Sequence, residues 1–134
     1  MKKILVSLCM AAALLVSCSN TSSPVAQVCE IMNNMAEKFA KMDVDNVTPE
    51  DQAEIAKAGE RLDSITQANA DLKLTAEDKA ALKEASNNMG EAVIRQQAKA
   101  LGMDVNSEEI RQQIEMTRQA TDQSIDNMTT LGGL

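Results

Sequence analysis

Apolar residues recur along this chain at intervals of three and four, and nowhere alternate for long with polar ones. From Val25 the stripe Val25, Val28, Met32, Met35, Phe39, Met42 advances by 3, 4, 3, 4 and 3 residues, which places one apolar seam on a helix running from about Pro24 to Met42. A polar stretch, "DVDNV", interrupts it. A second helix is predicted from Thr48 as N-cap, with Pro49 at the first helical position and Glu50 and Asp51 in the first turn. Its inner face reads Ile55, Ala58, Leu62, Ile65 and Leu72, and it stops near Leu72. A third opens with "TAED", where Thr75 caps and Asp78 takes the capping-box position. Its stripe is Leu82, Ala85, Met89, Val93 and Ala100, and Gly102 supplies a C-terminal stop. A fourth, capped by Asn106 or Ser107, carries Ile110, Ile114, Thr117, Ile125 and Met128. The connections are short, so neighbours in sequence are expected to pack antiparallel. The expectation is an all-α fold, a small antiparallel four-helix bundle over residues 24–129. The alternative is a three-helix bundle with a loosely docked N-terminal helix. Residues 130–134 are expected to form a flexible tail.

The N-terminus follows a different pattern. Lys2 and Lys3 precede an apolar run from Ile4 to Val16, and small polar residues then take over. A helix needs about 20 apolar residues to span a bilayer comfortably, and this run is shorter. Charge, apolar run and small residues in that order are the layout of a secretory signal peptide, here residues 1–17. The four residues "LVSC", Leu15 to Cys18, resemble the lipobox of bacterial lipoproteins at every position. The resemblance implies that the Cys18 thiol is joined to diacylglycerol and that the chain is cut just before it. In Gram-negative cells it also implies acylation of the new amino group. Two or more acyl chains make a stable anchor without a spanning helix. In that family an aspartate after the cysteine often marks retention in the inner membrane. Ser19 stands there instead, so the resemblance implies the outer membrane, with the domain facing the periplasm on a short linker, 18–23. Beyond residue 18 the chain resembles small helical envelope lipoproteins in layout only. It ends in Gly132-Gly133-Leu134, without the C-terminal lysine that links one such helical lipoprotein covalently to peptidoglycan.

Charge and composition narrow the partners. Loss of Lys2 and Lys3 with the signal moves the formal charge from −7 to −9. An acidic chain is poorly matched to nucleic acid, where phosphate neutralisation dominates binding, or to a basic contact with anionic lipid. Attachment to membrane is therefore expected through the lipid alone. Phe39 is the sole aromatic residue, which leaves no platform for stacking sugars and makes glycan binding unlikely on this composition. Cys9 goes with the signal and Cys18 with the lipid, so Cys29 is the one free thiol and is expected to be buried.

Candidate chemistry is sparse. Cys29, Met32 and Met35 are soft sulfur ligands at spacings of three, a pattern that could hold Cu(I), although a core stripe with Met as gap-filler explains them as well. Asp43, Asp45 and Glu54 match positions 1, 3 and 12 of a calcium loop, but Val47 and Thr48 stand where a ligand and a glycine are needed. The chain has no histidine, the commonest general base. No enzyme, no resident metal and no cofactor are expected. Three function classes remain: a protein-interaction or structural module, docking on an envelope protein or a second copy through Val28, Met32, Met35, Phe39 and Met42; a carrier of an apolar or lipid ligand; and a Cu(I)-handling protein. Finally, "NNMAE" at Asn33–Glu37 recurs as "NNMGE" at Asn87–Glu91, and "MDV" at Met42 recurs at Met103. This fits either a duplicated helical hairpin or chance in a low-diversity helical sequence.

Overall fold

The computed structural model describes residues 23–134. The signal peptide, Cys18 and most of the linker lie outside the described residues. The chain is all-α, with helices α1 Pro24–Lys41, α2 Pro49–Ala68, α3 Ala76–Ala100 and α4 Glu108–Asn127, followed by a 3-10 turn at Leu131–Gly133. Each helix starts where its polar cap dictates. The Ser23 hydroxyl accepts from the Ala26 amide at 3.1 Å ahead of Pro24. Thr48 with Asp51 and Thr75 with Asp78 each close a reciprocal capping box, so the shorter Asp does the work usually given to Glu or Gln. Ser107, not Asn106, caps α4. At the end of α3, Gly102 turns to φ +68°. The Met103 amide then reaches the Ala98 carbonyl at 2.8 Å and the Gly102 amide reaches Lys99 at 3.0 Å, which together make a Schellman stop.

The four helices form a bundle with up-down connectivity, and its most extensive seam joins α1 to α3, which are not neighbours in sequence. These two run parallel. Ser86 Oγ donates to Met32 Sδ at 3.5 Å, and just beyond it on both helices Asn88 Nδ2 donates to Asn33 Oδ1 at 3.3 Å. Ala36 and Ala40 on α1 and Ala92 on α3 line the cleft beyond. α4 runs antiparallel along α3, tied by Lys83–Asp126 at 2.6 Å, Asn87–Asp122 at 2.9 Å and Glu91–Arg118 at 3.3 Å. α2 runs antiparallel along α1 on the other flank. The main core gathers Val25, Val28 and Met32 from α1, Leu82 and Ala85 from α3, Ile125 from α4, and Met128 and Leu131 from the chain end. A second cluster, Ile94, Ala98 and Ile110, joins α3 to α4 at the opposite end.

Several expectations are corrected by packing. The tail does not fray. Leu131 is wholly buried, and backbone bonds tie the segment to the α2–α3 connection: Leu74 N to Thr129 O at 3.1 Å, Leu131 N to Leu72 O at 2.9 Å, and Gly132 N to Ala70 O at 3.0 Å. A Cβ on Gly132 would sit 2.9 Å from both Cβ and carbonyl oxygen of Ala70, so only glycine lets the two segments approach this closely. α2 stops at Ala68, because the Asn69 side chain takes the Ile65 carbonyl at 2.8 Å and ends the helix before Leu72. On α3, Val93 is only half-buried and Ala100 is exposed, whereas Ile94 and Ala98 are buried. The stripe changes phase because the N-terminal half of α3 packs Leu82 and Ala85 into the main core, whereas its C-terminal half packs Ile94 and Ala98 against Ile110 of α4. The loosely docked helix of the three-helix alternative is not α1, which sits at the centre. It is α2, none of whose 20 residues is buried.

Candidate functional site

The sulfur residues of α1 separate in space. Cys29 is half-buried at the edge of the main core. Burial pushes its thiol above the ordinary value, and the nearby negative charges of Asp78 and Glu84 add to this. A protonated thiol is a weak ligand and a weak nucleophile. Met32 is 4% exposed with its sulfur accepting from Ser86 on α3, while Met35 lines the groove toward α2. The three donors proposed for Cu(I) thus have three different surroundings. Among the described residues, no three His, Cys, Asp or Glu side chains are grouped to hold a metal. The acids of the calcium-like loop are otherwise engaged. Asp43 accepts from the Asp45 amide and the Asn46 side chain, both at 3.1 Å, and these bonds, Asn46 first, hold its carboxyl below the usual range. Glu54 pairs with Lys38.

The suggested docking residues divide along α1. Val28 is 0% exposed and Met32 nearly so, both inside the core. Met35 and Phe39, in the C-terminal half of the helix, and Met42, just past its end, are each half-buried. Beside them α1 and α2 form a groove. Ile31 and Met35 face Ile55 and Ala58, and Lys38, Glu54 and Arg61 rim it. Lys38 is the polar centre of this flank. It pairs with Asp51 Oδ1 at 2.8 Å and with Glu54. Its pKa is pushed up to about 12, first by the Asp51 bond and then by the Glu54 bond. Asp51 is held at about 2, first by Lys38 and then by the Thr48 hydroxyl and amide. Sequence reading places Asp51 and Glu54 at the start of the second helix, with Glu54 weighed as the last position of a calcium loop. It missed Lys38, although a basic residue in the last turn of one helix facing acids in the first turn of the next was the available signal.

The opposite flank carries a second polar array. Glu91 binds Arg95 at 2.9 Å and Arg118 at 3.3 Å, and Arg95 also donates to the Val105 carbonyl at 2.9 Å, tying the "MDV" turn back onto α3. The two "MDV" turns share one local form: Asp43 and Asp104 each accept from the amide two residues on, and each carbonyl accepts from the amide three residues on. The "NNM" echo has no such equivalence. Asn33 bonds Asn88 across the α1–α3 seam, while its counterpart Asn87 bonds Asp122 on α4; Met35 faces the α2 groove, while Met89 packs on the main core. Equal letters thus do different work, which argues against a repeated packing unit. Comparison with family models, curated proteins and solved structures finds no match to this chain. None of the described helices is long and apolar enough to cross a membrane.

Proposed function

We propose that this chain is a small lipoprotein of the Gram-negative envelope, held by lipid on Cys18 to the periplasmic face of the outer membrane, and acting there as a protein-interaction or structural module. The observation that carries the reading is the tetrapeptide Leu15-Val16-Ser17-Cys18 at the end of the apolar run. The folded domain begins at Ser23, so the linker spans at most about 18 Å and keeps the helices close to the membrane. The half-buried Met35, Phe39 and Met42 support the interaction reading, since flexible thioethers adapt to varied partners.

Two measurements test it. Cys18→Ala should abolish acylation and cleavage before residue 18, read by the mass of the N-terminal peptide and by partition into detergent. A variant still cleaved there and acylated would overturn the anchor. Native mass spectrometry of the non-lipidated chain then separates the function classes. Dimers weakened by Phe39→Ala support self-association through α1, whereas a co-purifying lipid or a stoichiometric copper mass would replace the interaction reading.

A further inference from the structure

We infer that α2 is a strap that swings away from the α1–α3–α4 body as a unit, hinged at Asn69 and latched at its N-terminal end by Lys38. All four helices are fully formed, yet they are held very unequally. α1 and α3 each bury four residues and α4 buries two, whereas α2 buries none. Among the described residues its only extensive helix contact is α1. Near the hinge it is supported by the half-buried Leu62 and Ile65 at the core edge, and the segment just beyond is pinned, because Ala70, Leu72 and Leu74 are bonded to the chain end. At the far end the hold is the half-buried Ile55 and Ala58 together with the ion pairs from Lys38 to Asp51 and Glu54, all partly exposed to solvent. Such pairs are individually weak and are screened by salt. A Cβ placed on Gly59 in mid-helix would meet nothing within 4 Å, so no close approach requires glycine there and its poor helix propensity goes uncompensated. Segments with few buried contacts open below the global unfolding free energy.

Opening has a defined consequence for α1. Ile31 is 6% exposed, yet it belongs to neither core cluster and lines the α1–α2 groove. When α2 leaves, Ile31 is bared next to Met35 while the α1–α3 seam stays intact. The strap therefore governs access to the apolar flank of α1. This inference stands whether or not the interaction reading holds.

Hydrogen exchange on the full chain, followed by peptide mass spectrometry, gives the first readout. Amides of α2 should exchange at least about tenfold faster than those of α1 and α3. Lys38→Met should accelerate α2 further and leave α3 unchanged, and added salt should act in the same direction. Fraying of α2 in place would also speed its amides, so a side-chain probe is needed. With Cys9, Cys18 and Cys29 replaced by Ala, the thiol of Ile31→Cys should react with a soluble disulfide reagent at least about tenfold faster than that of Ala85→Cys in the main core. Equal labelling rates, or exchange of α2 and α3 as one unit, would overturn the proposal.

Discussion

At the residue scale, two side chains far apart in sequence carry unusual weight. Leu131 is fully buried by a segment that otherwise reads as a terminal frill of threonine and glycine. Truncating a buried leucine costs about 2–5 kcal/mol. Leu131→Ala should therefore lower the melting temperature strongly, whereas Leu134→Ala, at a position 40% exposed, should barely change it. Thermal denaturation of the two variants checks this. Asp51 gives a prediction in pH. Its folded pKa, about 2, lies below the ordinary value near 3.9, so its stabilising pair with Lys38 is complete above the ordinary value and is lost as pH falls through 2. Lys38, raised to about 12 from about 10.5, loses its contribution only as pH rises through 12. The Lys38–Asp51 pair is thus unchanged between about pH 4 and 10. Carboxyl NMR titration should place the Asp51 midpoint close to 2, and Lys38→Met should bring it back toward the ordinary range.

At the scale of elements, the legibility of the chain follows from what is local. Thr48-Pro49-Glu50-Asp51 and Thr75 with Asp78 contain their own caps, so helix starts can be read without knowing any neighbour. Ends are less legible. α2 stops at Asn69 through a side-chain bond to Ile65, while the apolar spacing continues to Leu72. The phase change on α3 was hidden for a similar reason. Val93 and Ile94 are adjacent and both apolar, and only the position of α4 decides that Ile94 goes inside. The Lys38 cluster depended on knowing that α1 and α2 lie side by side. α2 itself combines sound caps with an unburied face, so its weakness lies in docking and in Gly59. Gly59→Ala should therefore stabilise the protein by about 0.5–1 kcal/mol, read as a small rise in melting temperature, since the new methyl meets nothing.

For the whole molecule, the all-helical class was within reach of pattern and composition, and the pairing of helices was not. Short connections say which helices are neighbours in sequence, yet the largest seam joins α1 to α3, across the intervening α2. Small residues such as Ala36, Ala40 and Ala92 at that cleft give no strong periodic signal of their own. This parallel pairing bears on how the protein comes to be made. α1 is synthesised before its partner α3, which begins at Ala76, and Leu131, which plugs the core, comes after all four helices. A chain growing from its N-terminus therefore has no complete core to close around until the segment carrying Leu131 is available. Folding should therefore wait for that segment, and a chain truncated after Thr130 should stay open and protease-sensitive, read by limited proteolysis.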